Sequence, residues 1–214
     1  MMIKVDLIAH TPEPEKLVAT AAKLCYSSSD IDSLRKGLTE DKIESFIDML
    51  VSIGHESVME HVSFTFGIEG ISRACSHQLV RHRIASFSQE STRYCNYSSD
   101  KFGGDVSFII PTFFEESHLK DDDKKYEKWV EEMMNIERTY LNLLEDGASP
   151  QEARTVLPNS LKTEIVVTMN LREWRHFFKL RTAPAAHPQM RELVCPLLSE
   201  MKEILPAVFE DIEE

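Results

Sequence analysis

The order of helical and strand-like apolar spacing along the chain limits its possible folds more than any other feature. Residues 2–9, 61–68 and 161–169 alternate apolar and polar side chains as β-strands do. The stretches between them carry the three- and four-residue spacing of helices, without a regular strand–helix–strand rhythm. This order predicts an α+β fold in which helices pack on a mostly antiparallel sheet. No repeat or long linker divides residues 1–214, so we expect a single domain.

Capping residues and apolar periodicity place the predicted helices. The clearest spans residues 120–146, where apolar residues keep helical spacing and Gly147 follows as a C′ glycine. Ser149 and Glu152 form a capping-box pattern, with Pro150 at the first helical position. Thr39 is expected to cap the helix that follows it. The other predicted helices are 15–26, 72–80, 171–182 and 189–204, with a loop at 96–105 and a short strand end at 108–111.

Composition and charge exclude several classes of protein. Hydrophobic residues make up 42% of the chain and charged residues 28%, a mixture typical of soluble globular proteins. The formal net charge of −12 disfavours nucleic acid and anionic membranes as partners. No apolar run is long enough to cross a bilayer, and an N-terminus with an early Asp6 is not typical of a signal peptide. We therefore expect a cytoplasmic protein.

The four cysteines do not form a recognisable framework. Cys25, Cys75, Cys95 and Cys195 are widely separated and include no C-x-x-C pair. Without a secretion signal, this spacing favours isolated reduced thiols over disulfides or a zinc site.

Arginine is concentrated in two parts of this acidic chain. Glu90 is the only acid between residues 73 and 93, a segment that holds four of the eleven arginines. A guanidinium group pairs bidentately with phosphate, so this pattern predicts binding of one or more anionic small molecules. The alternative is that each arginine pairs with a surface carboxylate, for which the 81–93 window offers few partners. The arginines in question are Arg73, Arg81, Arg83 and Arg93, then Arg154, then Arg172, Arg175, Arg181 and Arg191.

The absence of other motifs narrows how such an anion would be held. The chain has seven glycines and contains neither G-x-G-x-x-G nor a Walker A loop. Phosphates are therefore expected to bind side chains, with hydroxyl donors from Ser86, Ser88 and Ser91 beside the arginines. The pairs His55–Glu56 and Glu60–His61 lack a third ligand at a suitable spacing, so no metal is expected.

The window RHRIASFSQESTR, residues 81–93, resembles the flavin-dependent thymidylate synthases, whose motif is R-H-R-x-x-S-x-x-x-x-S-x-R. All six fixed positions match. Other segments are similar to the family in the same order: G-H-E-S with a following E-H at 54–61, E-A-R with L-P at 152–158, N-L-R at 170–172 and L-R at 180–181. The resemblance covers roughly residues 50 to 195, most of the chain.

The resemblance implies an α+β enzyme that assembles as a homotetramer with active sites shared between subunits. It implies Arg181 as the catalytic residue, placed at the pyrimidine edge where it favours the ionised N3 of the base. The implied FAD contacts are Ser57, Arg81, His82, Arg83, Gln89, Asn170, Leu171, Arg172 and His176. The implied dUMP contacts are Gln78, Leu79, Val80, Arg81, Gln89, Glu90, Ser91, Thr92, Arg93, Arg154 and Arg181.

The reaction implied is reductive methylation of dUMP to dTMP. 5,10-Methylenetetrahydrofolate supplies the carbon, and FAD reduced by NADPH supplies the hydride. No cysteine nucleophile is implied, and Ser91 is expected to bind dUMP rather than attack it, because no base is evident beside it. Two positions depart from several relatives: Gln89, where many carry Glu, and His176, where some carry Asn.

Two other classes of function remain open from the residues alone. A non-catalytic nucleotide-binding or regulatory module would use the same arginines without flavin. A nucleic-acid binder would need stacking aromatic residues beside the basic window, where only Phe87 and Tyr94 occur.

Overall fold

The computed structural model describes residues 2–115 and 124–213. Within these residues, strands and helices follow one another in an irregular order, as the apolar spacing predicts. The strands are β1 (Lys4–His10), β2 (Ser63–Ser72), β3 (Ala85–Gln89) and β4 (Lys162–Asn170). The helices are α1 (Pro14–Leu24), α2 (Ile31–Lys36), α3 (Glu40–Ser52), α4 (Arg73–Leu79), α5 (Thr112–Glu115), α6 (Lys124–Glu145), α7 (Pro150–Ala153), α8 (Leu171–Arg181), α9 (Pro188–Ile204) and α10 (Pro206–Phe209), with single 3₁₀ turns at Ser57–His61, Asp100–Phe102 and Arg154–Val156.

The four strands form one antiparallel sheet in the order β1-β2-β4-β3. In β2 the alternating Phe64, Phe66 and Ile68 are buried, and β4 buries Ile165 and Val167 in the same way. The α+β prediction is therefore confirmed. No helix in the described part of the chain is long and apolar enough to span a membrane.

Two compact units can be distinguished along the chain. Unit 1 contains Met1–Lys4, Ile68–Arg81 and Ser88–Ile165, and unit 2 contains Val5–Gly67, His82–Phe87 and Val166–Glu214. The prediction of a single domain stays a prediction.

Unit 2 is built around the aromatic side chains of α8. Trp174 is fully buried, meets Phe66 edge-on at 5.2 Å between ring centroids, and donates its indole N–H to the Phe64 carbonyl over 3.3 Å. Phe177 and Phe178 pack beside it at 5.5 and 5.7 Å. These rings bury a large apolar area and fix the orientation of α8 within the unit.

Arg175, on the same helix, has its side chain 1% exposed. It donates to Glu56 over 2.9 Å and to both carboxylate oxygens of Asp211 over 2.7 and 2.8 Å. It also donates to the Val208 carbonyl. A charged group at this depth requires such compensation, so Arg175 is a structural residue of unit 2.

Unit 1 has its own apolar cluster, centred on Tyr140 of α6. Tyr97, Val106, Ala153 and Leu161 pack with it. The Tyr140 hydroxyl accepts the backbone N–H of Tyr97 over 3.4 Å.

The ends of the predicted helices agree with the structure. Gly147 has a φ of 95°, as its place after α6 predicts. Ser149 and Glu152 form both contacts of a capping box at α7, and Pro150 begins that helix. Thr39 occupies the N-cap of α3, but its side chain makes no cap hydrogen bond. Residues 120–123 of the predicted long helix lie outside the described residues.

Four elements of the structure are absent from the sequence-based expectations: the strand β3 and the short helices α2, α5 and α10. β3 lies inside the arginine-rich window and forms by pairing along the sheet, a long-range contact that local spacing does not reveal. α2 buries no residue and depends on Asp30, whose side chain accepts the backbone N–H of Ser33. The predicted loop at 96–105 contains a 3₁₀ turn, and Phe108 forms an isolated antiparallel bridge with Leu161.

Candidate active site

The arginines differ in the groups that they contact within the folded chain. Arg172 pairs with Glu60 at 2.5 Å, and Arg175 is held as described above. Arg191 donates to the Thr182 carbonyl over 3.0 Å. Within residues 2–115 and 124–213, no carboxylate forms an ion pair with four exposed arginines, Arg81, Arg83, Arg93 and Arg154. Surface pairing therefore explains part of the C-terminal group and none of the motif arginines.

Glu90 of unit 1 is held on three sides. Its carboxylate accepts the Tyr97 hydroxyl over 2.6 Å, and its carbonyl accepts from Arg73 Nη1 over 3.1 Å. Its backbone N–H donates to the Glu164 carbonyl over 2.9 Å. Burial, together with the nearby Glu90 carboxylate, raises the pKa of Tyr97 well above its usual value, so this hydroxyl remains a donor. Glu90 and Tyr97 border a cavity of about 380 Å³ that Lys101 and Lys162 also line.

The side chain of Gln89 is held by hydrogen bonds to one residue of α4 and one residue of β4. Its amide Nε2 donates to the Ser76 hydroxyl over 2.8 Å and to the Thr163 hydroxyl over 3.1 Å. Both hydroxyl groups belong to fully buried residues. The Ser76 hydroxyl also donates a hydrogen bond to the Arg73 carbonyl over 3.0 Å. A glutamate at position 89 would only accept, so both hydroxyl groups would have to turn toward it.

The turn after β3 carries the remaining substrate candidates of unit 1. Arg93 Nε donates to the Gln151 side chain over 2.8 Å, and Arg154 Nη1 donates to the Thr92 hydroxyl over 3.3 Å. In the described part of the chain, the Ser91 hydroxyl oxygen accepts the Arg93 backbone N–H over 3.3 Å. No histidine or carboxylate is hydrogen-bonded to that hydroxyl there, which fits a ligand better than a nucleophile.

The N-terminal part of the substrate set lies on α4. The Leu79 side chain is fully buried, whereas Val80 is 40% exposed and Gln78 is half-buried. Contact of Leu79 with a nucleotide would therefore use its backbone.

His82, Glu173 and Arg181 form a hydrogen-bonded chain in unit 2. His82 is 4% exposed and Glu173 8% exposed. His82 Nδ1 lies 3.1 Å from Glu173 Oε1, and Arg181 Nε donates to His82 Nε2 over 3.1 Å. Burial lowers the pKa of His82 below its usual value, and the positive charge of Arg181 lowers it further, against the opposing effect of the Glu173 carboxylate. The imidazole is therefore neutral near pH 7.

His176 extends this group toward solvent. Its ring centroid lies 5.6 Å from that of His82, and the ligand atoms of His82, Glu173 and His176 all lie within 4.8 Å of one another. Arg181 donates to His82 Nε2 over 3.1 Å, and its positive charge opposes the binding of a cation beside the ring. The expectation of no metal stays a prediction.

The other residues of unit 2 that the resemblance implies as FAD contacts lie at the starts of two helical segments. Ser57 is exposed and begins the 3₁₀ turn Ser57–His61. Asn170 caps α8, where its side chain accepts the backbone N–H of Glu173 over 2.8 Å. Leu171 is fully buried, and Arg172 is exposed beside Glu60.

Sequence reasoning missed the residues that hold these side chains. Ser76, Tyr97, Thr163 and Glu173 each contact a predicted site residue. Arg73, which the sequence placed among the anion-binding arginines, instead donates to the Glu90 carbonyl. Only Glu173 had a local signal, since it stands three residues after the N-cap Asn170, where a capping-box partner belongs. Its carboxylate binds His82 instead, 91 residues away in sequence.

An α+β chain that exposes motif arginines without acidic partners has the chemistry of an enzyme for anionic small molecules. The family model described as thymidylate synthase complementing protein matches residues 6–207. A flavin-dependent thymidylate synthase of Geobacter sulfurreducens is 44% identical over 209 residues, which cover 98% of this chain and 86% of the relative. Proteins of the same name from Clostridium tetani and Pyrococcus furiosus are 40% and 38% identical, covering 98% and 94% of this chain and 86% and 79% of the relatives.

The chain therefore belongs to the thymidylate synthase complementing protein family, whose curated relatives are flavin-dependent thymidylate synthases. The resemblance stated from the motif is confirmed, and so is the prediction of an enzyme. A non-catalytic nucleotide-binding module no longer fits.

Proposed function

We propose that this enzyme methylates dUMP to dTMP with 5,10-methylenetetrahydrofolate as carbon donor and FAD as cofactor, reduced by NADPH. One observation carries the proposal: the motif arginines Arg81, Arg83 and Arg93, together with Arg154, are exposed without acidic partners in a chain of net charge −12. Such groups are suited to phosphate and carboxylate ligands, and dUMP, FAD and the folate are all anionic. The flavin-dependent relatives support the same assignment.

The donors present in unit 2 fit a flavin dinucleotide. Arg83 has no acidic partner among the described residues, and the exposed Ser57 supplies a hydroxyl group. Arg172 can exchange Glu60 for a phosphate at little cost, because their ion pair is half exposed on both sides. We propose that these three residues hold the diphosphate. The further proposed FAD contacts are His82, Asn170, Leu171 and His176 of unit 2 and Arg81 and Gln89 of unit 1.

The donors of unit 1 fit a nucleoside monophosphate. We propose that Arg93 and Arg154 bind the phosphate of dUMP, and that Ser91 and Thr92 donate hydroxyl groups. Glu90, held by Tyr97 and Arg73, presents an oriented carboxylate to the sugar or the base. Gln78, Leu79, Val80, Arg81 and Gln89 complete the proposed contacts.

FAD supplies the hydride when it is bound and reduced. The protein's part is to orient its anionic ligands and to stabilise the charge that develops on the pyrimidine. We propose that Arg181 donates to the pyrimidine edge and thereby favours the ionised N3. A fixed guanidinium is suited to this role because it stays protonated.

No cysteine is proposed as a nucleophile. Cys75 is fully buried in α4. Burial raises the pKa of the Cys95 thiol, and the charge of Glu90 raises it further, so Cys95 is a poor thiolate.

We further propose that the enzyme is a homotetramer located in the cytoplasm. It rests on the family resemblance, in which subunits share active sites. Sedimentation of the purified chain would test the tetramer directly.

The activity assay follows dTMP formation in the presence of dUMP, methylenetetrahydrofolate, NADPH and FAD, with each omitted in turn. The purified protein is expected to be yellow, and dTMP should form only in the complete mixture. Arg181→Ala should abolish turnover while the flavin content stays near normal, and Arg138→Ala on the exposed face of α6 serves as control. A colourless protein that FAD does not reconstitute would overturn the proposal.

A further inference from the structure

We infer that Glu173 is a positioning residue for Arg181 and acts through the imidazole of His82. The inference rests on the proposed role of Arg181 in the reaction. Nothing in the motif or the resemblance assigns a role to Glu173.

The need for an intermediary comes from helix geometry. Glu173 and Arg181 lie at opposite ends of α8, which spans Leu171–Arg181. Eight residues at a rise of about 1.5 Å each separate them by about 12 Å along the axis, too far for direct contact. His82 comes from another segment of unit 2 and hydrogen-bonds to both, at 3.1 Å on each side. The ring also packs edge-on against Phe177 at 4.9 Å, which restricts its rotation.

Donor and acceptor rules fix the proton on His82. Arg181 Nε can only donate, so His82 Nε2 must be the unprotonated, accepting nitrogen. The proton then resides on Nδ1 and forms the hydrogen bond to Glu173 Oε1, which accepts it. Glu173 thus selects the tautomer that allows Arg181 to be held by its Nε. The two Nη groups of Arg181 then keep a defined direction relative to the ring.

Charge determines when this arrangement is stable. The groups facing His82 are Glu173, which favours protonation, and Arg181 and His176, which oppose it. Protonated His82 would carry a hydrogen on Nε2 and could no longer accept from Arg181. Acid therefore breaks the contact to Arg181, so turnover is expected to fall as His82 titrates.

The test compares Glu173→Gln and Glu173→Leu with the native enzyme and with Glu203→Gln, an exposed control on α9. Glutamine keeps an acceptor oxygen but loses the charge, and leucine loses both. We expect kcat to fall roughly 10-fold in Glu173→Gln and roughly 100-fold in Glu173→Leu, the scale of a misplaced catalytic group. Flavin content and melting temperature report whether each variant is folded and loaded.

The pH profile separates positioning from support of the fold. Removing the carboxylate takes away the one neighbour that favours protonated His82, so the acid limb of kcat/KM should move to lower pH in Glu173→Gln. Turnover within two-fold of native in both variants would overturn the inference, and so would a fall in turnover with an unmoved acid limb. If the native enzyme and Glu203→Gln form no dTMP at all, it is the proposed function that fails.

Discussion

Replacing Arg175 by methionine tests whether its buried ion-pair network stabilises unit 2. Methionine keeps a long apolar side chain but removes the guanidinium that bridges Glu56, Asp211 and the Val208 carbonyl. Removing one partner of a buried pair costs about 3–5 kcal/mol. The side chains of Glu56 and Asp211 are 23% and 41% exposed and can regain water, so the expected loss lies at the lower end, about 3 kcal/mol.

Urea unfolding followed by tryptophan fluorescence measures this loss, since Trp174 lies beside Arg175 in the core of unit 2. At a slope of roughly 2 kcal/mol per molar urea, the midpoint should fall by about 1.5 M. Protein concentration must be kept equal, because assembly of subunits would contribute to stability.

A double-mutant cycle with Asp211→Asn isolates the contact itself. The pair should show a coupling free energy of about 1 kcal/mol or more, so Asp211→Asn should cost little once Arg175 is absent. The Arg175 guanidinium lowers the pKa of Asp211. A lowered pKa gives stability that is present above the unfolded pKa of the carboxyl group and lost as pH falls through the folded pKa, and Arg175→Met should lose this dependence. An Arg175→Met variant within about 0.5 kcal/mol of native stability would refute the reasoning.

Three further substitutions have defined outcomes. Gly70→Ala should destabilise the protein by about 2 kcal/mol in the same unfolding assay, because φ is +74° and the new Cβ would lie 2.8 Å from the Met2 carbonyl oxygen; an unchanged midpoint would contradict this. Ser149→Ala removes the capping box shared with Glu152 and should cost about 1 kcal/mol, with a neutral result arguing that α7 needs no cap. Arg154→Gln should raise KM for dUMP roughly 10-fold and reduce its salt dependence, and an unchanged KM would remove Arg154 from the phosphate site.

Local patterns predicted the parts of the fold that depend on nearby residues. The burial of alternate residues in β2, the caps of α7 and the glycine after α6 all follow from rules that act within a few residues. β3 escaped prediction because its five residues, ASFSQ, have weak apolar alternation and become a strand only by pairing with a distant part of the chain.

The residues of the candidate site were also predicted only in part: those within the motif were found, and those that contact them from distant segments were not. The motif and its similarity to a family marked the residues that we propose as ligand contacts, such as Arg83 and Arg93. The side chains that hold other predicted site residues could not be predicted from the sequence. Contacts such as Glu173 to His82 and Thr163 to Gln89 join residues that are 91 and 74 positions apart. Donor and acceptor partners at that separation are known only once the chain is folded.

The four exposed arginines without acidic partners among the described residues, Arg81, Arg83, Arg93 and Arg154, have a consequence for the stability of the enzyme without its ligands. An anion that binds these arginines only in the folded chain lowers the free energy of that state. At a concentration 100 times its Kd, such an anion adds about 2.7 kcal/mol to the stability of the native state. The supply of ligand would therefore affect how long the folded enzyme persists. We therefore expect the enzyme to unfold and to be cleaved by proteases more readily when its proposed anionic ligands are scarce.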